Sequence, residues 1–96
     1  MELEAFQKRI EDIYYDRDLR RGVGGTFMWF VEEVGELATA IRSGDAASKR
    51  EEFADCLAWL ATLASLTGVR WEDAVGKYAG GCPRCRATPC ACPEKP

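Results

Sequence analysis

Apolar residues recur at helical spacing almost from the start of the chain. Leu3, Phe6, Ile10, Ile13 and Tyr14 fall on one face of a first helix, predicted from Leu3 to about Arg20. Asp12, Asp16, Arg17, Asp18, Arg20 and Arg21 form its polar face and exit; Arg17 to Arg21 read most simply as a solvated helix end, the alternative being a phosphate contact from the Gly-rich edge. Gly22-Val23-Gly24-Gly25 is expected to break the helix. Thr26 then caps a second helix from about Phe27 to Arg42, whose stripe is Phe27, Phe30, Val31, Val34, Leu37, Ala38 and Ile41. Ser43-Gly44-Asp45 is a turn, with Gly44 suited to a helix C-terminal cap. A third helix begins at Ala46 or Lys49, capped by Asp45 or by Ser48 with Glu51 at capping-box spacing, and runs to Leu66.

From Cys56 to Leu66 that third helix is apolar almost all round, the pattern of a buried helix. A chain this short can hardly bury it alone, so a subunit interface is expected, in a dimer or a dimer of dimers. Thr67-Gly68-Val69 ends the helix, and a short fourth helix is expected from about Trp71 to Tyr78. No strand-like alternation occurs anywhere. The expectation is an all-α, four-helix protomer over residues 1–79, with a Gly80-Gly81 hinge into a cysteine-rich tail over 80–96.

Within this pattern, four acids stand out. Glu33 and Glu36 lie three apart on the second helix, and Glu52 and Asp55 three apart on the third. Residues so spaced share a helix face. Glu33 sits at the edge of the apolar stripe, and Glu52 and Asp55 stand at the polar end of a face that continues through Cys56, Trp59 and Leu63. One such pair is usually just a solvated face. Two pairs on helices joined by one turn bring four carboxylates together, which repel unless a cation holds them. Hard oxygen ligands suit Mg²⁺ or Mn²⁺. Glu32 points nearly opposite the stripe, toward solvent or the rim of a cleft.

Composition narrows the chemistry. The chain has no histidine, which excludes serine–histidine and cysteine–histidine catalysis and histidine-ligated metals. A net charge of −3 offers no basic footprint for general nucleic-acid binding. No apolar run reaches membrane-spanning length, and the acidic Met1-Glu2-Leu3-Glu4 start lacks a signal-peptide layout, so a cytoplasmic location is the default expectation. Of five cysteines, Cys82, Cys85, Cys90 and Cys92 crowd into the tail as C-x-x-C followed by C-x-C. In a cytosolic chain this reads as metal ligands, and the first half matches structural zinc spacing. The alternatives are a reduced, metal-free tail or redox chemistry at the C-x-x-C. Cys56 reads as a small buried residue.

Glu33-Val34-Gly35-Glu36-Leu37, followed by Glu52-Phe53-Ala54-Asp55, resembles the signature of the MazG-like group of all-α nucleotide pyrophosphohydrolases. The likeness covers about residues 5 to 79. It takes in Thr26-Phe27-Met28-Trp29-Phe30, Leu57, Leu60 and Lys77-Tyr78. It implies that Glu33, Glu36, Glu52 and Asp55 bind Mg²⁺ and that the α–β bond of a nucleoside triphosphate is cut, leaving a monophosphate and pyrophosphate. By the same likeness Lys77 meets the phosphates, and Glu32 helps position or deprotonate the water, next to Glu33. The chain departs from the family after Lys77, where Ala79-Gly80-Gly81 replaces a polar continuation; Arg84 or Arg86 is a candidate substitute.

The chemistry itself asks for charge neutralisation, an oriented water and a proton acceptor. Base recognition would fall to aromatics, Trp29 or Trp59, although core packing is the simpler reading of Trp59. Rival readings are a narrower dCTP-, dUTP- or phosphoribosyl-nucleotide pyrophosphatase, or a non-catalytic helical dimer whose zinc tail binds a partner.

Overall fold

The computed structural model describes residues 1–95. Helix α1 covers Leu3–Ser43, α2 Ala46–Leu66 and α3 the short Trp71–Ala74. A 3₁₀ turn, Val75–Tyr78, follows directly. Residues 79–95 contain only turns and bends, and no strand occurs among the described residues. The all-α expectation holds, but the count of four separate helices does not. The first two predicted helices are one element interrupted at a single residue, and the fourth is one α-turn running into a 3₁₀ turn.

The interruption is Gly22, at φ 81° and ψ 171°. Only glycine adopts that region readily. The chain turns there and is helical again at once, so Val23, Gly24 and Gly25 do not form the expected break. Glycine in a helix costs about 1 kcal/mol relative to alanine, and tertiary bonds override it. Thr26 is not a cap but fully buried. The Arg21 guanidinium donates from Nη1 to the Thr26 hydroxyl and to Asp18 Oδ1, both at 3.1 Å. The other Asp18 oxygen accepts from the Thr62 hydroxyl of α2 at 3.0 Å. Both arms of α1, 3–21 and 23–43, are thereby tied to each other and to α2.

Asp45, not Ser48, caps α2: its carboxylate accepts from the Ser48 backbone N–H at 2.8 Å, and the backbone N–H donors of this cap hold the carboxyl below its usual range. Gly44 ends α1 by close approach rather than by a left-handed φ. A Cβ there would meet the Ala40 carbonyl oxygen at 2.7 Å.

The core is small. Ile10, Ala61 and Trp71 are buried together, with Phe6, Ala58 and Ala64 packed against them. The Phe6 and Trp71 rings stack at 6.0 Å. A polar clamp sits in this core. Fully buried Gln7 donates to the Val69 carbonyl at 2.9 Å and the Ser65 hydroxyl at 3.2 Å, and its Oε1 accepts from the Trp71 N–H at 2.8 Å. Arg70 pairs with Glu11 at 2.6 Å beside it. Together these bonds pin the start of α3 to the first arm.

Much of the apolar pattern stays uncovered within one chain. Of α2, only Ala61 and Thr62 are buried, although a helix apolar all round was expected to be enclosed. Leu57 and Leu60 are 44% and 43% exposed, and Phe27, Val31 and Val34 on α1 are similarly open. Two long helices make only one layer against each other, so each keeps an outer apolar face. No helix among the described residues is long and apolar enough to cross a membrane.

Candidate active site

The turn at Gly44-Asp45 folds α2 back along the second arm of α1, and this brings the predicted acids together. Carboxylate oxygens of Glu33, Glu36 and Glu52 all lie within 4.8 Å of one another. Asp55, one turn further along α2, is not within that tight group, but it is near enough for its charge to act on both Glu33 and Glu52. Glu33 and Glu52 each bury one oxygen, Oε2, that has no hydrogen-bond partner among the described residues. Buried polar atoms are normally satisfied. Two unsatisfied carboxylate oxygens facing the same acids mark a place where a donor or cation belongs.

Electrostatics agree with that reading. Burial, then hydrogen bonding and charge from Glu36, then the charges of Asp55 and Glu52, push the Glu33 carboxyl up to about 7. Burial and the charges of Glu36 and Asp55 raise Glu52 as well, against a hydrogen bond from the Glu33 carboxyl that pulls it down. Cys56, half-buried rather than enclosed, faces the same cluster; burial first, and then all four acids, push its thiol up. A divalent cation fits this donor set. The ligands are hard oxygens, and oxygens about 2.1 Å from one Mg²⁺ stand at most about 4.2 Å apart, close to the observed span.

Asp55 connects the acids to a cleft of about 300 Å³ lined also by Tyr14, Arg17, Arg21, Ala58 and Trp59. Sequence pattern read Arg17 to Arg21 as a solvated helix end. Arg17 stays exposed at the edge of this cleft, whereas Arg21 is half-buried against Asp18, which is almost fully buried. The cleft also changes the reading of Trp59. It is not in the core cluster: its ring lies 4.7 Å beneath the Arg21 guanidinium and stacks on Trp29 at 6.2 Å and 13°. Trp29 is 49% exposed, with a face left for contact. The tryptophan of the core is Trp71.

Glu32 is exposed beside Glu33, as its place on the helix requires. Lys77 and Arg84 form no ion pair with the acids among the described residues. The Lys77 ammonium lies 5.8 Å from the Tyr78 ring and borders a separate cleft of about 250 Å³ with Gly80, Cys82 and Arg86. Arg84 is exposed in the tail.

The tail cysteines converge. Sγ atoms of Cys82, Cys85, Cys90 and Cys92 lie within 4.8 Å of one another, and all four are free thiols. Backbone N–H groups of Ala87 and Ala91 pull Cys85 down to about 6, and those of Cys85 and Arg84 lower Cys82. The neighbouring sulfurs of Cys90, Cys85 and Cys82 push Cys92 up to about 11.

Carboxylates gathered from two helices of an all-α chain, at the wall of an arginine- and tryptophan-lined cleft, form a donor set that a divalent cation would fit. The model of the MazG nucleotide pyrophosphohydrolase domain matches residues 24–83, more than half of the chain and the whole stretch that carries the acids. The chain is a member of the MazG nucleotide pyrophosphohydrolase family. Among curated proteins, none matches it closely enough to count as a relative. The match begins at Gly24, so the first arm, with Asp18 and Arg21, lies outside it.

Proposed function

We propose that the protein hydrolyses nucleoside triphosphates to a nucleoside monophosphate and pyrophosphate, with Mg²⁺ or Mn²⁺ held by Glu33, Glu36, Glu52 and Asp55. The observation that carries this reading is the pair of unsatisfied buried oxygens on Glu33 and Glu52, within a group of acids that the family match covers. When bound, the cation supplies charge neutralisation for the phosphates and a lowered pKa for water. The chain supplies the rest. Arg17 and Arg21 present positive charge in the cleft beside Asp55. Trp29 offers a partly open ring for a base, held by Trp59. Glu32, exposed next to Glu33, accepts the proton of the attacking water. Lys77, at the separate cleft beside Arg86, and Arg84 of the tail are the further cations proposed for the phosphate end. In the hydrolysis one water adds across the α–β anhydride, the α-phosphorus gains its oxygen, and pyrophosphate leaves.

A nucleotide-pool house-cleaning role in the cytoplasm follows from the same chemistry, with no call on nucleic acid or membrane. The exposed apolar faces around Leu57, Leu60 and Val31 favour a homodimer or dimer of dimers, because a core this small leaves them in water. Purified protein with Mg²⁺ and a panel of ordinary, deoxy and damaged nucleoside triphosphates should release pyrophosphate. Absence of release from the whole panel, with the protein folded, would overturn the assignment. The same panel separates a broad enzyme from one confined to dCTP, dUTP or a phosphoribosyl nucleotide. Glu36→Gln should abolish turnover and leave helical content unchanged.

A further inference from the structure

We infer that Cys82, Cys85, Cys90 and Cys92 form a tetrathiolate Zn²⁺ site that orders the tail. This inference stands apart from the hydrolase reading, because no step of that reaction needs thiol ligands. It rests first on distances. A tetrahedral zinc with Zn–S bonds of about 2.3 Å sets neighbouring sulfurs about 3.8 Å apart. Cys82 and Cys92 sulfurs lie 3.8 Å apart, and those of Cys85 and Cys90 3.9 Å apart. All four fall within 4.8 Å of one another, so no sulfur of the set is left outside.

The surrounding backbone is arranged around these sulfurs. The Ala91 N–H points to Cys85 Sγ at 3.3 Å, and the Cys92 N–H to Cys90 Sγ at 3.4 Å. Such donors suit sulfur that carries negative charge. A tight turn closes the C-x-x-C end, with Arg86 N–H to the Cys82 carbonyl at 2.7 Å and Cys82 N–H to the Ala87 carbonyl at 3.1 Å. That turn holds Arg86 at φ 65°, a left-handed conformation uncommon for a residue other than glycine. The loop packs back on Gly81, at φ 102°, where a Cβ would sit 2.8 Å from the Thr88 hydroxyl.

The hydrophobic core does not reach this segment. The buried core contains Ile10, Ala61 and Trp71 and no tail residue. Residues 79–95 have neither helix nor strand. A loop without a core of its own, whose four soft ligands converge on one point, has the build of a small metal-ordered module. Thiolate-only coordination selects zinc, iron or copper(I) among common ions, and a closed set of four protein ligands without an open position is the structural zinc arrangement. Zinc with four thiolates bears two net negative charges, and Arg84 and Arg86 in the same loop offset them. Binding displaces the proton of each thiol still protonated, with no change of oxidation state.

The test uses the full chain, purified under reducing conditions without metal-affinity chromatography and without added zinc. Metal analysis should find about one zinc per chain. Cys85→Ser and Cys90→Ser should lose it, and Cys56→Ser should keep it. Replacing zinc by Co²⁺ in the native protein should give the intense visible bands and sulfur-to-cobalt charge transfer of a tetrahedral tetrathiolate site. Trypsin should cut after Arg84 and Arg86 only when a chelator has removed the metal, leaving the helical part intact. These last two readouts use native protein and do not depend on how a variant folds. Zinc-free protein with five reactive thiols and no cobalt charge transfer would overturn the inference. So would iron in place of zinc, or a disulfide-bonded tail after reducing purification.

Discussion

Glu33 on α1 and Glu52 on α2 bury one carboxylate oxygen each in the same acidic group, and neither oxygen meets a donor among the described residues. Such an arrangement opposes folding when both groups are charged and nothing lies between them. Replacing Glu52 with Gln should therefore have opposite effects on stability and function. Without divalent metal, Glu52→Gln should melt higher than the native chain, because a repelling charge is gone. With Mg²⁺, the native chain should gain melting temperature by ligand linkage, and Glu52→Gln should gain little and hydrolyse nothing. Thermal melts with EDTA and with Mg²⁺ provide the check. A Glu52→Gln protein that responds to Mg²⁺ as the native chain does would remove Glu52 from the ligand set.

The raised Glu33 carboxyl gives the metal-free protein a pH dependence of known sign. Its value moves from an ordinary 4.5 to about 7 on folding, chiefly through burial and Glu36. Between those values the folded state holds more protons than the unfolded one, so stability falls as pH rises through this window. The contribution is full below the unfolded value and lost as pH passes the folded one. Glu52 shifts in the same direction. In EDTA the melting temperature should decline from mildly acid to mildly alkaline pH, and Glu33→Gln should flatten that decline. Mg²⁺ should reverse it, since the cation binds the deprotonated acids. The difference between native and Glu33→Gln melting curves isolates this group from the titrating thiols of the tail.

Asp18 is a structural acid, distinct from the cation-binding group. It is buried, accepts from Arg21 and Thr62, and joins both arms of α1 to α2. Asp18→Ala strands the half-buried guanidinium and the Thr62 hydroxyl, and should cost about 2–3 kcal/mol. Thr62→Val removes one bond, leaves the Asp18–Arg21 pair, and should cost about 1 kcal/mol. Denaturant midpoints at constant slope would measure both. Because Arg21 also lies over Trp59, Asp18→Ala should shift tryptophan fluorescence, whereas Thr62→Val should not.

These residues show what the sequence could and could not reveal. The grouping of Glu33, Glu36 and Glu52 was readable because i, i+3 spacing is a local property of a helix; the cap of α2 was narrowed to Asp45 or Ser48, and the bond from the Ser48 N–H decides for Asp45. Both ends of α2 follow from such local signals. Gln7 and Asp18 were not readable. Their partners stand at Val69, Trp71 and Thr62, and no periodicity within a helix encodes a bond across that separation. A polar residue on an amphipathic helix reads as solvated until the opposing element is in place. Arg21 reads as part of a solvated end for the same reason, although it is half-buried against Asp18, while Arg17 is exposed as that reading expects. The convergence of the four tail cysteines was legible from their spacing. The apolar excess of α2 was legible too, and within one chain it stays uncovered.

The glycines at the α1 break were read as one unit, and the structure divides them. Gly22 alone takes the conformation that turns the chain, and nothing lies within 4 Å of where its Cβ would be. Alanine there meets no neighbour, so its cost is purely that of the backbone, about 2 kcal/mol for this glycine-only region. Gly24 also has open space around it, but its backbone is helical. Alanine at Gly24 removes unfolded-state freedom and adds helix propensity, and should stabilise the chain by about 0.5–1 kcal/mol. Equilibrium unfolding of Gly22→Ala and Gly24→Ala should thus give shifts of opposite sign from positions only two residues apart. Equal destabilisation by both would mean that the break spans Gly22 to Gly25, as the sequence pattern alone implies.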